Sequence, residues 1–298
     1  MVDTLIIGCG YVGRRLLSAL EPAPGPVTAL VRSHKSAEAL HQAGVKVVRA
    51  DLDQAPLPPL PLADARVFYL APPPSNGTED GHMARFLAAC ALQGQPERIL
   101  YFSTTGVYGD CGGAWVDEDR PPAPRADRAR RRLDAENQLR SWRNGEVVIL
   151  RVAGIYGPQR LPLQRLREGL PLLKEAQAPF TNRIHVDDLV GVALAAMERG
   201  ADGGLYNACD GNPSTMNDYF RRLADLSGLP RPPEVDRNEA AATLSPGMLS
   251  YLLESRRLSN RRLREELGVR LRYPTLADGL PACLSEGLQD PPGGRPAR

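Results

Sequence analysis

Six short runs rich in β-branched and aromatic residues punctuate the first half of the chain: TLIIG at 4–8, VTALV at 27–31, VKVVRA at 45–50, ARVFYLA at 65–71, RILYFS at 98–103 and EVVILRV at 146–152. Most lack the polar/apolar alternation of a strand with one wet face, so they must be covered on both sides, as in a parallel sheet held between crossover helices. The expected fold class is therefore α/β, a doubly wound parallel sheet of the Rossmann type. Between the third and fourth runs lies DLDQAPLPPLPLAD, whose prolines forbid a regular helix and predict an irregular strap. After about residue 157 the alternation weakens. Helical patterns follow at 187–199, 216–227 and 258–267, with one further strand candidate, GLYNAC, at 204–209. The expected division is a dinucleotide-binding domain over 1–157 and a smaller substrate lobe over 158–288, interleaved with the first in space. A tail at 289–298 has too little apolar content to fold.

The first run leads directly into a glycine-rich turn, LIIGCGYVGRRLL, with Gly8, Gly10 and Gly13 in G-x-G-x-x-G spacing ahead of an amphipathic helix. In that position Gly8 permits a tight turn, Gly10 lets backbone approach a pyrophosphate, and Gly13 lets the helix pack against the strand. The N–H groups at the helix start, around Tyr11 and Val12, then face the phosphates. The plainer reading is a strand-to-helix turn that needs glycine for its backbone angles. The second run ends in Arg32 and Ser33, with Lys35 close behind, where an NAD-binding chain normally carries an acid for the ribose hydroxyls. A guanidinium suits a 2′-phosphate, so the expected cofactor is NADP, with NAD as the alternative; the bland reading is a surface Arg at a strand end. Asp51 and Leu52 would lie beside the adenine, and Leu70, Ala71 and Pro72 beneath the pyrophosphate and ribose.

Three later segments, YFSTTGVYG at 101–109, LRVAGIYGP at 150–158 and NRIHVDDLV at 182–190, resemble in that order the extended short-chain dehydrogenase/reductases, the NAD-dependent epimerase/dehydratase family. YNACDGNPSTMNDYF at 206–220 and RRLSNRRLREELG at 256–268 resemble its substrate-lobe motifs. The glycine spacing departs from the extended G-x-x-G-x-x-G form, with Ile7 where the first glycine would stand, and is similar to an atypical branch. The family's chemistry rests on Tyr-x-x-x-Lys on one helical face and a hydroxyl at the end of the fifth strand. Here PRADRARRRLDAEN, at 124–137, packs five arginines into fourteen residues. Counting back from RLDAE, which resembles the family's Lys-x-x-x-Glu, Arg132 takes the Lys position and Arg128 the Tyr position. No tyrosine anywhere in the chain is followed by Lys four residues later. A guanidinium, with a pKa above about 12, does not shuttle protons near neutrality, although Arg132 can still hold a ribose or phosphate through its fork of donors.

Thr104 falls at the family's hydroxyl position, beside Ser103 at the cofactor edge; it either polarises a carbonyl or caps the strand end. Tyr108 and His185 are candidates for a displaced acid, each with a structural alternative. Asp187 and Asp188 are expected to cap the helix that starts there. The catalytic set on this reading is Thr104, Tyr108, Arg128 and Arg132.

Net charge excludes little but excludes something useful: 37 Lys+Arg against 35 Asp+Glu leave +2, too even for a polyanion-binding domain. Asp127, Asp134 and Glu136 interrupt the Arg run and at helical spacing read as ion-paired surface. Five scattered cysteines, with no Cys-x-x-Cys pair, suit reduced thiols in the cytoplasm and no metal site. No apolar stretch approaches the roughly 20 residues that span a bilayer. The expected partner is a small molecule, neither nucleic acid nor membrane. Relatives in the family often dimerise through the helix at 128–143 and its neighbour at 78–92, so the resemblance suggests a homodimer. Two functions remain open: an NAD(P)-dependent oxidoreductase, epimerase or dehydratase acting on a nucleotide sugar or small carbonyl compound with a non-standard proton donor, or a non-catalytic NAD(P)-binding sensor.

Overall fold

The apolar runs become the strands of one sheet. In the computed structural model, which describes residues 2–20, 25–244 and 246–287, seven strands lie parallel: β1 (Thr4–Ile7), β2 (Val27–Val31), β3 (Lys46–Arg49), β4 (Arg66–Tyr69), β5 (Arg98–Thr104), β6 (Glu146–Val152) and β7 (Leu205–Ala208). Their order is β7-β6-β5-β4-β1-β2-β3, so the winding reverses between β1 and β4. The expected tail at 289–298 falls outside the described residues.

Strand alternation divides the core into two layers. Ile6, Phe68, Leu100 and Val148 point to one face, where they meet Leu16 and Leu17 of α1 (Tyr11–Leu20), Leu40 of α2 (His34–Gln42) and the apolar stripe of α5 (Val186–Arg199). Leu5, Ile7, Val67, Tyr69, Ile99 and Ile149 point to the other, against α3 (Gly81–Gln93) and α4 (Asp127–Ser141). Burial on both faces is what the unalternating apolar runs require. The proline strap crosses the second face without helix or strand. Leu57, Leu60 and Leu62 plug into the core, while Gln93 accepts from the Leu60 N–H at 2.8 Å and donates to the Leu57 carbonyl at 3.1 Å. A single amide side chain thus satisfies backbone groups that no ladder reaches.

A smaller lobe forms its own core from Leu166, Leu172, Tyr219, Phe220, Leu223 and Leu280, built largely on α6 (Met216–Ser227) and α7 (Leu276–Gly287). α5 and β7 lie between these pieces in sequence but belong to the large sheet. The helix expected over 258–267 is shorter: Arg257–Leu258 pairs as a strand with Trp115–Val116, and only Arg261–Glu265 is helical.

α4 is fastened to the sheet by a charge pair. Glu136, read from sequence as exposed, is 0% exposed and meets Arg151 of β6 in two bonds, Nε–Oε1 at 3.1 Å and Nη2–Oε2 at 2.7 Å. Ser103 of β5 donates to the same carboxylate. The Arg151 guanidinium also lies over the Tyr108 ring at 4.6 Å. Of the three acids in the Arg run, only Asp127 makes the expected surface pair, with Arg130 at 2.9 Å; Asp134 accepts from the Asp80 N–H and Gln138. The correction has a plain cause. Three residues separate the charges on the helix, but the partner of Glu136 comes from a strand that helical spacing does not display. Removing one member of a fully buried pair strands the other charge, so Glu136→Gln should lower unfolding free energy by about 3–5 kcal/mol in a denaturant titration. A loss under about 1 kcal/mol would show that the pair is not what fastens the helix.

Candidate functional site

The reversal of winding opens a crevice at the carboxyl ends of β1 and β4, where ligands bind in open α/β sheets. It measures about 360 Å³ and is lined by Gly8, Gly10, Arg32, Ser33, Asp51, Leu52, Leu70, Ala71 and Pro72 from the sequence-derived set. Gly8 has φ +92°, and a Cβ there would come 2.7 Å from the Ala71 nitrogen, so no other residue fits without moving β4. Gly13 is similarly tight, 2.9 Å from the Gly8 carbonyl, and sets how closely α1 approaches the turn. A Cβ on Gly10, by contrast, would meet nothing within 4 Å. That open space lies at the amino end of α1, where the first N–H groups have no intrahelical acceptor. A pyrophosphate fits such a cradle.

The strand ends divide the rest of the crevice. Arg32 is exposed at the end of β2, and Ser33 caps α2 by accepting from the Ser36 N–H at 3.1 Å. No carboxylate stands at that strand end; the nearest lining acid is Asp51, after β3. His82, which the sequence reading missed, closes one wall: Nδ1 lies 3.0 Å from the Pro72 carbonyl and Nε2 2.8 Å from Asp53. This bond is the main reason the Asp53 carboxyl is held below its usual range. No motif surrounds His82, and its role comes only from where α3 begins.

Tyr11 and Val12 open α1, so their N–H groups lie at its amino end, while their side chains lead away: the Tyr11 hydroxyl donates to the Pro158 carbonyl at 2.8 Å, and Val12 packs against the sheet core. Ser103 is corrected outright: it is 5% exposed and spends its hydroxyl on Glu136, because its place in β5 points it at α4 and away from the crevice.

A second cavity, about 570 Å³, lies between the sheet and the smaller lobe. Thr104, Arg128 and Arg132 line it from the sheet side, and Arg160, Phe180, Arg183, Tyr251 and Arg256 from the other. Arg132 stands at the junction of the two spaces. Its Nη1 donates to the Ala71 carbonyl at 3.1 Å, the Phe102 carbonyl at 3.0 Å and the Tyr101 hydroxyl at 3.2 Å. Nε and Nη2 meet no acceptor among the described residues. Arg128 lies one turn earlier with its Cζ 4.3 Å from the Tyr251 ring centre. Thr104 Oγ1 accepts from the Gly106 N–H at 3.2 Å, which caps the following turn and leaves the hydroxyl hydrogen able to donate.

The two candidates for a displaced acid lie outside both cavities. Tyr108 is 1% exposed, donates to Asn207 at 2.8 Å, and is pushed by burial up to about 12. His185 is packed between Tyr156 and Tyr273, and its Nδ1 accepts from the Asp187 N–H at 3.2 Å. His185 is therefore the cap expected of the two aspartates. Asp187 instead pairs with Arg15 at 2.6 Å, and Asp188 accepts from the Arg272 and Tyr273 N–H groups. Among the described residues there is no metal-binding cluster and no helix long and apolar enough to cross a membrane.

The model of the NAD-dependent epimerase/dehydratase family matches residues 78–209, a span that runs from α3 through α4 to the end of β7. The chain belongs to that family. A functionally unknown conserved protein from Silicibacter pomeroyi is 35% identical, with a TM-score of 0.83 over 96% of this chain and 99% of that one. Protein YeeZ of Escherichia coli K12 is 28% identical over 92% of this chain and 97% of its own. The human epimerase family protein SDR39U1, solved with NADPH, shares the fold with a TM-score of 0.75 at 19% identity, covering 95% of this chain and 99% of that one. The family is named for its NAD dependence, and the human neighbour was solved with NADPH.

Beside the second cavity, burial raises Asp210 to about 7. An unfolded Asp titrates near 4, so between these values the native state holds a proton that the unfolded chain has released. Folding is therefore penalised increasingly from about pH 4 to about pH 7, and fully above that. Asp210→Asn keeps the acceptor for the Asn212 N–H and removes the penalty. Thermal melts should show the variant gaining roughly 2–4 kcal/mol on the parent between pH 5 and pH 8; parallel pH profiles would refute this.

Proposed function

We propose that this chain is an NADP-dependent member of the family that reduces, epimerises or dehydrates a nucleotide sugar or small carbonyl compound, with NAD as the weaker coenzyme. The observation that carries this reading is Arg132, which is bonded to the Ala71 carbonyl of the coenzyme crevice while it lines the second cavity. A coenzyme in the first space and a substrate in the second would meet at that guanidinium.

When bound, the nicotinamide supplies or takes up a hydride. The chain's own contribution is different. Gly8, Gly10 and the start of α1 hold the pyrophosphate, Arg32 with Ser33 takes the 2′-phosphate, and Arg132 orients the nicotinamide ribose through the donors its three neutral partners leave over. Thr104 directs its hydroxyl hydrogen at the substrate oxygen. Neither Arg128 nor Arg132 moves a proton. Tyr108 is replaced as donor candidate by Tyr251, the phenol that lines the second cavity and rests against Arg128.

Fluorescence titration should show Arg32→Ala weakening NADPH by about tenfold to a hundredfold while NADH changes by no more than about threefold, since only the 2′-phosphate contact is lost. Equal losses would remove the NADP preference. With NADPH and a panel of carbonyl compounds and nucleotide sugars followed at the nicotinamide absorbance, Tyr251→Phe should slow turnover by about 10²–10⁴ with coenzyme affinity unchanged. A flat trace for the parent protein with tight NADPH binding would instead support the non-catalytic sensor.

A further inference from the structure

Many arginines of this molecule sit on carboxylates: Arg15 on Asp187, Arg98 on Glu146, Arg151 on Glu136, Arg222 on Asp218, Arg231 on Asp225 and Arg262 on Asp119. Three arginines that line the second cavity do not. Arg160 lies over Tyr11 with its Cζ 5.2 Å from the ring centre, Arg183 over Tyr219 at 3.8 Å, and Arg132 over Tyr101 at 5.6 Å. Among the described residues none of these three has a carboxylate within ion-pair distance. A ring face steadies a guanidinium without neutralising it and without occupying the N–H donors around its edge. Arg128, which lines the same cavity, has its Cζ 4.3 Å from the Tyr251 ring centre. The one acid lining the cavity, Glu254, is already bonded to Arg256 at 2.9 Å.

Arg183 makes the case sharpest. Its Nε is sealed from solvent with no acceptor, and among the described residues its other nitrogens make no hydrogen bond or ion pair. Its neighbour Asp210 donates its N–H to the Arg183 carbonyl at 2.8 Å, but its carboxyl makes no ion pair with the guanidinium, and burial raises that carboxyl to about 7. A half-buried guanidinium with its Nε sealed and unpaired is stabilised when an anion joins it.

We propose that the second cavity is built for a substrate carrying at least two acidic groups, a keto-diacid or a phosphorylated carbonyl compound, held by Arg183 and Arg160 with its reacting carbonyl towards Thr104 and Arg132. This deepens the functional reading above and rests on it for the location of the reacting carbonyl. Binding of the dianion needs no coenzyme and is measured alone.

Calorimetry on the full chain without coenzyme would compare 2-oxoglutarate, inorganic pyrophosphate and the uncharged dimethyl ester of 2-oxoglutarate. At least one dianion should bind about tenfold or more tighter than the ester and weaken as salt is raised. The tighter of the two identifies carboxylate or phosphate as the source of the charge. Arg183→Gln and the exposed Arg160→Gln should each cost that dianion about tenfold, and Arg231→Gln, on the far surface, less than about twofold. Arg160→Gln keeps the test valid if Arg183→Gln fails to fold. An ester that binds as well as both dianions, or cavity variants that behave like Arg231→Gln, would overturn the proposal. NADPH titration of the same samples separates the two ideas: coenzyme binding without dianion binding sinks this inference alone, and the reverse sinks the coenzyme assignment alone.

Discussion

The bidentate contact between Glu136 and Arg151 is the constraint on which the rest of the arrangement hangs. It sits where neither charge touches water, so its geometry is enforced rather than chosen from many. Fixing Glu136 against β6 fixes the rotation of α4, and that rotation decides which of the four arginines clustered at its start face which space. Arg130 goes to solvent, Arg131 to the Gly77 carbonyl, Arg132 to the ends of β4 and β5, and Arg128 to the cavity wall. One buried pair converts a run of like residues into a set with separate tasks.

Tyr108 belongs to the same assembly. Its ring receives the Arg151 guanidinium, its hydroxyl goes to Asn207, and the Asn207 N–H goes to the buried Glu118. The chain of contacts stitches β5, β6 and β7 together below the cavity floor. A phenol so employed is structural, because every polar atom it offers is engaged and burial disfavours its ionised form.

The strands were legible because burial on both faces writes itself into consecutive residues: all seven runs lie in the main sheet, with ends shifted by a residue or two. The crevice was legible for a related reason, since strand ends in a doubly wound sheet converge and Gly8, Arg32, Asp51 and Ala71 each stand within two residues of a strand end. What sequence did not show were directions of side chains. Ser103 and Thr104 are adjacent, yet one faces α4 and the other the cavity, an outcome of the pleat that motif matching does not resolve. Glu136 looked exposed because its partner is on a strand, His82 carried no motif, and the aromatic seats under Arg160 and Arg183 are assembled from residues more than thirty positions away in the chain.

The carbonyl of Ala71 is shared property. It belongs to the wall of one cleft and anchors a side chain of the other, so the two spaces lack independent walls. A displacement of that peptide by an occupant on either side shifts a hydrogen-bond donor on the opposite side. Thermodynamic reciprocity makes any effect of one occupant on the affinity of the other equal in both directions, and the path for such an effect here is a single main-chain oxygen.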